Sequence, residues 1–168
     1  MAETDLKGYS AAEKLNKMAV DLITVVPDIA EATYSNGDLM CENISIPNAT
    51  AVKGGVCILQ SITAIDTTDT GGTIYLIITD TSGTDLGTVG SAVNAAVAVA
   101  DNSVAIVEIS NWTDVGAARV GTKANIGLVM KSTDTYKDLK FGVVNSSGGD
   151  IVIGSGEDIL FKFGIVKD

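Results

Sequence analysis

Apolar residues in this chain fall mostly in short runs with a period near two, and Gly, Asn, Asp and Thr separate the runs. That alternation marks strands rather than helices. It predicts strands over residues 54–65 (GGVCILQSITAI), 72–80 (GTIYLIITD), 103–109 (SVAIVEI), 124–131 (ANIGLVMK), 138–146 (DLKFGVVNS) and 158–166 (DILFKFGIV). Leu39 to Ile46 adds another, entered through Tyr34-Ser35-Asn36-Gly37-Asp38, whose Asn-Gly pair tolerates positive φ and reverses the chain. In 72–80, Ile74, Leu76 and Ile78 alternate with Tyr75 and Ile77, so both faces are apolar. Such a strand belongs inside a sheet with both sides covered, or with one side against a neighbouring subunit.

The N-terminal pattern differs. Residues 1–9 are polar and without period, which predicts an arm. Ser10 and Glu13 have capping-box spacing, and Leu15, Met18, Ala19 and Leu22 recur at helical spacing. The β-branched run Ile23-Thr24-Val25-Val26 and Pro27 end that tendency, giving a short helix at 10–18 and a strand at 20–26. Val89 to Ala100 is compatible with either a helix or a small-residue loop. Trp112 lies in a predicted loop, Asn111 to Gly121, as a lid over the end of the core. Asn145 to Asp150 forms the last hairpin turn, and Phe161 and Phe163 alternate in the final strand. The expected fold is all-β: an antiparallel, jelly-roll-like β-sandwich over 19–168, preceded by an arm and short helix over 1–18.

A length of 168 residues suits one domain with its own core. The chain contains no histidine, which removes the usual zinc, haem and Ser-His-Asp chemistries. Its net charge of -10 disfavours a nucleic-acid partner, and no run of residues approaches the length of an apolar membrane span. No basic, apolar and small-residue leader opens the chain, so a cleaved secretion signal is not expected. Cys41 and Cys57 are read as small buried thiols rather than a disulfide framework.

Candidate chemistry is thin. Asp66, Asp69, Asp80 and Asp85 flank one strand and would be the carboxylates for acid-base work or for a calcium site. They alternate with Thr and Gly as turn residues do, without an EF-hand spacing. Gly54-Gly55 and Gly71-Gly72 read as turns before strands and match no phosphate-binding loop. The expectation is therefore a protein that is not an enzyme, with no catalytic residue, metal or cofactor. The residues nominated for partner contact are Leu15, Met18, Leu22 and Trp112.

Tyr34-x-x-Gly37-Asp38, Ile46-Pro47-Asn48-Ala49, the run Gly54-Gly55-Val56-Cys57-Ile58-Leu59-Gln60-Ser61 and Asp101-Asn102-Ser103, in that order, resemble small structural proteins of tailed-phage virions. The likeness spans about residues 25 to 166 and rests on turn chemistry. It implies a capsid decoration (cement) protein on the outer capsid surface, bound to the major capsid protein and to itself as a homodimer or homotrimer. In the 80–100 segment this chain carries Ala and Val where the pattern has more Asp and aromatic residues. The alternative is a glycan-binding adhesion module of a tail, baseplate or fibre, for which the aromatic supply (one Trp, four Tyr, three Phe) is small.

Overall fold

The computed structural model describes residues 20–80, 85–94, 102–154 and 158–167. The predicted arm and helix, with Leu15 and Met18, lie outside them, as does the second half of the Ala/Val run. The described chain is all-β: twelve strands, no helix, and antiparallel pairing throughout.

In chain order the strands are β1 (Val20–Val25), β2 (Ala32–Tyr34), β3 (Leu39–Ile46), β4 (Val56–Asp66), β5 (Ile74–Thr79) and β6 (Ser103–Ile109). They continue as β7 (Trp112–Asp114), β8 (Arg119–Lys123), β9 (Leu128–Lys131), β10 (Leu139–Asn145), β11 (Ile151–Ile153) and β12 (Ile159–Lys167). A six-stranded sheet runs β1-β12-β4-β8-β7, with β9 also on β4. A four-stranded sheet runs β3-β10-β5-β6, and β2 pairs with β11. At the edge of the larger sheet, Val20 lies opposite Val166 and Val25 opposite Phe161.

Alternation places the core. Ile74, Leu76 and Ile78 of β5 are fully buried, with Leu139, Phe141 and Val143 of β10 beside them and Val107 and Ile109 of β6 on the other flank. Ile159, Phe161, Phe163 and Ile165 of β12 belong to the same cluster. Phe141 meets the rings of Phe161 and Phe163 edge-on, with centroids 5.5 and 5.2 Å away. These are the chain's only three phenylalanines, and they join the inward faces of the two large sheets.

Local irregularities adjust register. In β4, Ile165 pairs with Leu59 and Gly164 with Ser61, so Gln60 is an extra residue. The bulge lets Cys57 and Leu59 face inward ahead of it and Ile62 and Ala64 after it, although the two pairs differ in parity. It also divides the edge of β4, which pairs with β9 through Val56 to Leu59 and with β8 through Ile62 to Asp66. β3 carries two further shifts against β10, one beside Asn43 at φ 62.

Loops are tied by buried polar groups. Asn145, fully buried, donates from Nδ2 to the carbonyls of Tyr34 (2.7 Å) and Gly149 (2.8 Å), and its Oδ1 accepts from the Ser147 N–H (2.9 Å). Its carbonyl accepts from the Gly37 N–H at 2.7 Å, so one residue fastens the Asn36-Gly37 turn to the β10–β11 turn.

Several expectations change. Asn111 to Gly121 is not a loop throughout, because Trp112 opens β7, which pairs with β8. The 124–131 strand shortens to Leu128–Lys131, since Asn125 and Gly127 take positive φ. The strand expected at 20–26 is, by contrast, present as β1, with Leu22 in it. Of the 89–100 run left open between helix and loop, residues 89–94 form a turn and a single bridge, Asp38 to Ala92.

Truncating the central ring should be costly. Phe141→Ala is expected to lose about 3–5 kcal/mol, measured as a lower urea midpoint with an unchanged m-value. A loss below about 1 kcal/mol would mean that the three-ring cluster does not hold the sheets together.

Candidate functional site

The loop carboxylates maintain structure. Asp66, 1% exposed at the end of β4, accepts from the Thr68 N–H (2.8 Å), Thr68 Oγ1 (2.6 Å), Thr70 Oγ1 (3.3 Å) and the Gly71 N–H (2.8 Å). A buried carboxylate with both oxygens occupied in this way shapes the 66–71 loop and has no lone pair directed at a substrate. Asp69 pairs with Arg119 Nε at 3.1 Å, and Asp85 accepts from the Gly87 N–H at 3.1 Å. The backbone N–H of Asp80 donates to the Asn102 carbonyl. Among the described residues no group of three or more Asp, Glu, Cys or His is placed to hold a metal ion.

Both thiols are free and buried. Desolvation is the main reason that the Cys41 thiol is pushed up to about 12 from an ordinary 9.0, and Cys57 to about 11. Neither forms a thiolate at neutral pH, and the thiolate is the reactive species.

Trp112 is half-buried and packs on the core. Its β-partner is Gly121, where a Cβ would strike Ile109 and the indole. Its Nε1 is buried with no hydrogen-bond partner among the described residues. Gly121 thus lies close against the indole, which is otherwise packed on the core and only partly exposed. Leu22, by contrast, is 64% exposed on β1. The structure does not bring Leu22 and Trp112 together, since β1 and β7 lie at opposite ends of the strand order.

A more prominent surface lies on the outer face of the four-stranded sheet. The segment 85–94 folds over this face and is bonded to the start of β3: Leu39 N–H to the Ser91 carbonyl (2.9 Å), Gly90 N–H to the Leu39 carbonyl (2.8 Å) and Val93 N–H to the Gly37 carbonyl (3.2 Å). Leu86 N–H donates to Glu42 Oε2 at 2.8 Å. The Leu86 side chain rests over Gly142, where any Cβ would collide with it and with the Cys41 carbonyl. Leu86 packs there with Leu39 and Val144 in a second, smaller core. Beside it an apolar groove of about 480 Å³ remains open, lined by Gly37, Tyr75, Ile77, Ala92, Val93, Ile106 and Val144. Among the described residues no charged side chain lines it, in a chain of net charge -10.

None of these residues is among the four nominated for partner contact, although the sequence offered the second face of the 72–80 strand and the small-residue run 89–100, which holds Ala92 and Val93, as surfaces that could meet a neighbouring subunit. The signal was the two-faced apolar pattern of β5, whose outward residues Tyr75 and Ile77 form the groove floor. No protein-family model matches this chain, and no curated protein matches it.

The raised thiols set a pH dependence. A folded-state value above the unfolded one means that the native protein keeps its proton longer, so stability is retained below pH 9.0 and declines as pH rises toward about 11 and 12. In native buffer at pH 8, Cys41 and Cys57 should resist a thiol reagent, and both should react at once in denaturant. Rapid labelling of either without unfolding would contradict their burial.

Proposed function

We propose that this chain is a non-enzymatic structural protein of a tailed-phage virion. It decorates the outer capsid surface and stabilises the shell by binding major capsid subunits and further copies of itself. Its body is a jelly-roll β-sandwich. Support for that topology comes from the strand order: β1-β12-β4 with β8 and β9 on one side, β3-β10-β5-β6 on the other, the chain passing back and forth between the sheets with β5–β6 and β7–β9 each kept within one. Support for the function comes from the turn motifs Tyr34-x-x-Gly37-Asp38 and Ile46-Pro47-Asn48-Ala49 and from the long strand after Gly54-Gly55.

The observation that carries the proposal is how the polar and apolar groups divide. The carboxylates of Asp66, Asp69 and Asp85 are engaged in shaping loops, whereas the open concavity is uncharged and apolar. That division suits contact with another protein rather than a reaction. The strong negative charge keeps such a protein soluble at high copy number and steers it toward a basic surface.

Co-sedimentation with capsid shells lacking this protein tests the proposal. Saturable binding at a symmetry-related copy number, with shells gaining heat resistance, is expected; failure to sediment at any concentration overturns it. Deleting residues 1–18 should weaken attachment roughly 100-fold while leaving the β-type circular dichroism spectrum intact. Wild-type attachment of that truncation would reject the arm as anchor.

A further inference from the structure

We propose that the outer edge of β6 is a self-association surface, on which a second copy of this chain adds its own β6 antiparallel across a two-fold axis. The two four-stranded sheets would then continue into one another. This deepens the self-association part of the proposed function and does not depend on attachment to a shell.

The four-stranded sheet ends in β3 on one side and β6 on the other. β3 is poorly suited to pairing, because two register shifts and the left-handed Asn43 break its line. β6 has seven residues, SVAIVEI, with no Pro or Lys. Its single irregularity lies at the Thr79 end of its pairing with β5. Among the described residues, no strand pairs with its outer side. From Val104 to Ile109 this is a regular, largely apolar edge that no described strand covers, and such an edge is a template for another strand.

The side chains favour a second copy as the occupant. Centred on Ile106, a two-fold pairing sets Ile106 against Ile106, Ala105 against Val107 and Val104 against Glu108. The strand's one charged residue therefore meets an apolar partner rather than its own like charge. That matters between two molecules of charge -10, for which an acidic contact would be repulsive. Ile106 is 66% exposed and also lines the apolar groove, so its symmetry mate would cover the groove on the β6 side. One contact thus satisfies both an open backbone edge and an uncovered apolar wall. The other long edge, β1, carries Asp21 within the strand and borders no such groove.

Sedimentation equilibrium of the full chain should give a mass about twice 17.2 kDa, and Ile106→Lys should shift it to 17.2 kDa with an unchanged circular dichroism spectrum. Directly opposed residues in an antiparallel pair have Cα atoms about 4.5–5.5 Å apart, within disulfide range. Oxidised Ile106→Cys should therefore form a covalent dimer, while Leu22→Cys on β1 should not. A monomeric wild type, a dimer that survives Ile106→Lys, or cross-linking through Leu22→Cys but not Ile106→Cys would each overturn the pairing. Because mass is read without shells, this result is separable from co-sedimentation.

Discussion

Three aromatic rings hold the two large sheets in one arrangement. Phe141 projects from β10, an inner strand of the four-stranded sheet, and Phe161 and Phe163 project from β12, an inner strand of the six-stranded one. Edge-to-face contacts of this kind add about 0.5–1.5 kcal/mol per pair beyond burial, but their larger effect is on register. A one-residue slip of either strand would rotate its rings to the opposite face and empty the centre. The neighbours of both strands, β3 and β5 on one side and β1 and β4 on the other, inherit their alignment from these two.

With the centre fixed, the loops need separate restraints, and the polar residues supply them. Asp66 gathers four donors from its own loop, and Asn145 bonds the turn after β2 to the turn before β11. Asp66 is one of the carboxylates that sequence inspection weighs for catalysis, and Asn145 a residue it reads as part of a turn. Their satisfaction within the protein leaves the outer face of the four-stranded sheet as the distinctive surface. That face is sculpted by the 85–94 segment, whose backbone bonds to β3 hold one wall of the groove in place.

Much of this architecture was legible in alternation alone. β3 and β6 fall at their predicted residues, and β4, β5, β10 and β12 lie within two residues of theirs. Runs such as LKFGVVN and ILFKFGIV are apolar enough to be strands in any context. β2, β7, β8 and β11 were not legible, because they are three to five residues long and several are polar; their pairing partners define them. Nor could periodicity reveal the Gln60 bulge, which switches the inward parity of β4 within an unbroken apolar run. The groove was half legible. Tyr75 and Ile77 announced an apolar outer face, but its covering segment is low in pattern, and its attachment depends on Gly142 leaving room for Leu86. Leu15 and Met18 were nominated from helical spacing that falls outside the described residues, so of the partner-contact residues only Leu22 and Trp112 can be placed.

The first and last described strands are antiparallel neighbours, with Val20 directly across from Val166. Force applied through the two ends of the described chain would therefore enter at one end of a single ladder, along the direction of its hydrogen bonds. Such loading opens a ladder rung by rung, as a zipper opens, instead of straining all its bonds together in shear. β1 could peel away under tension while β12, still bonded to β4 on its other side, kept the rest of the body closed.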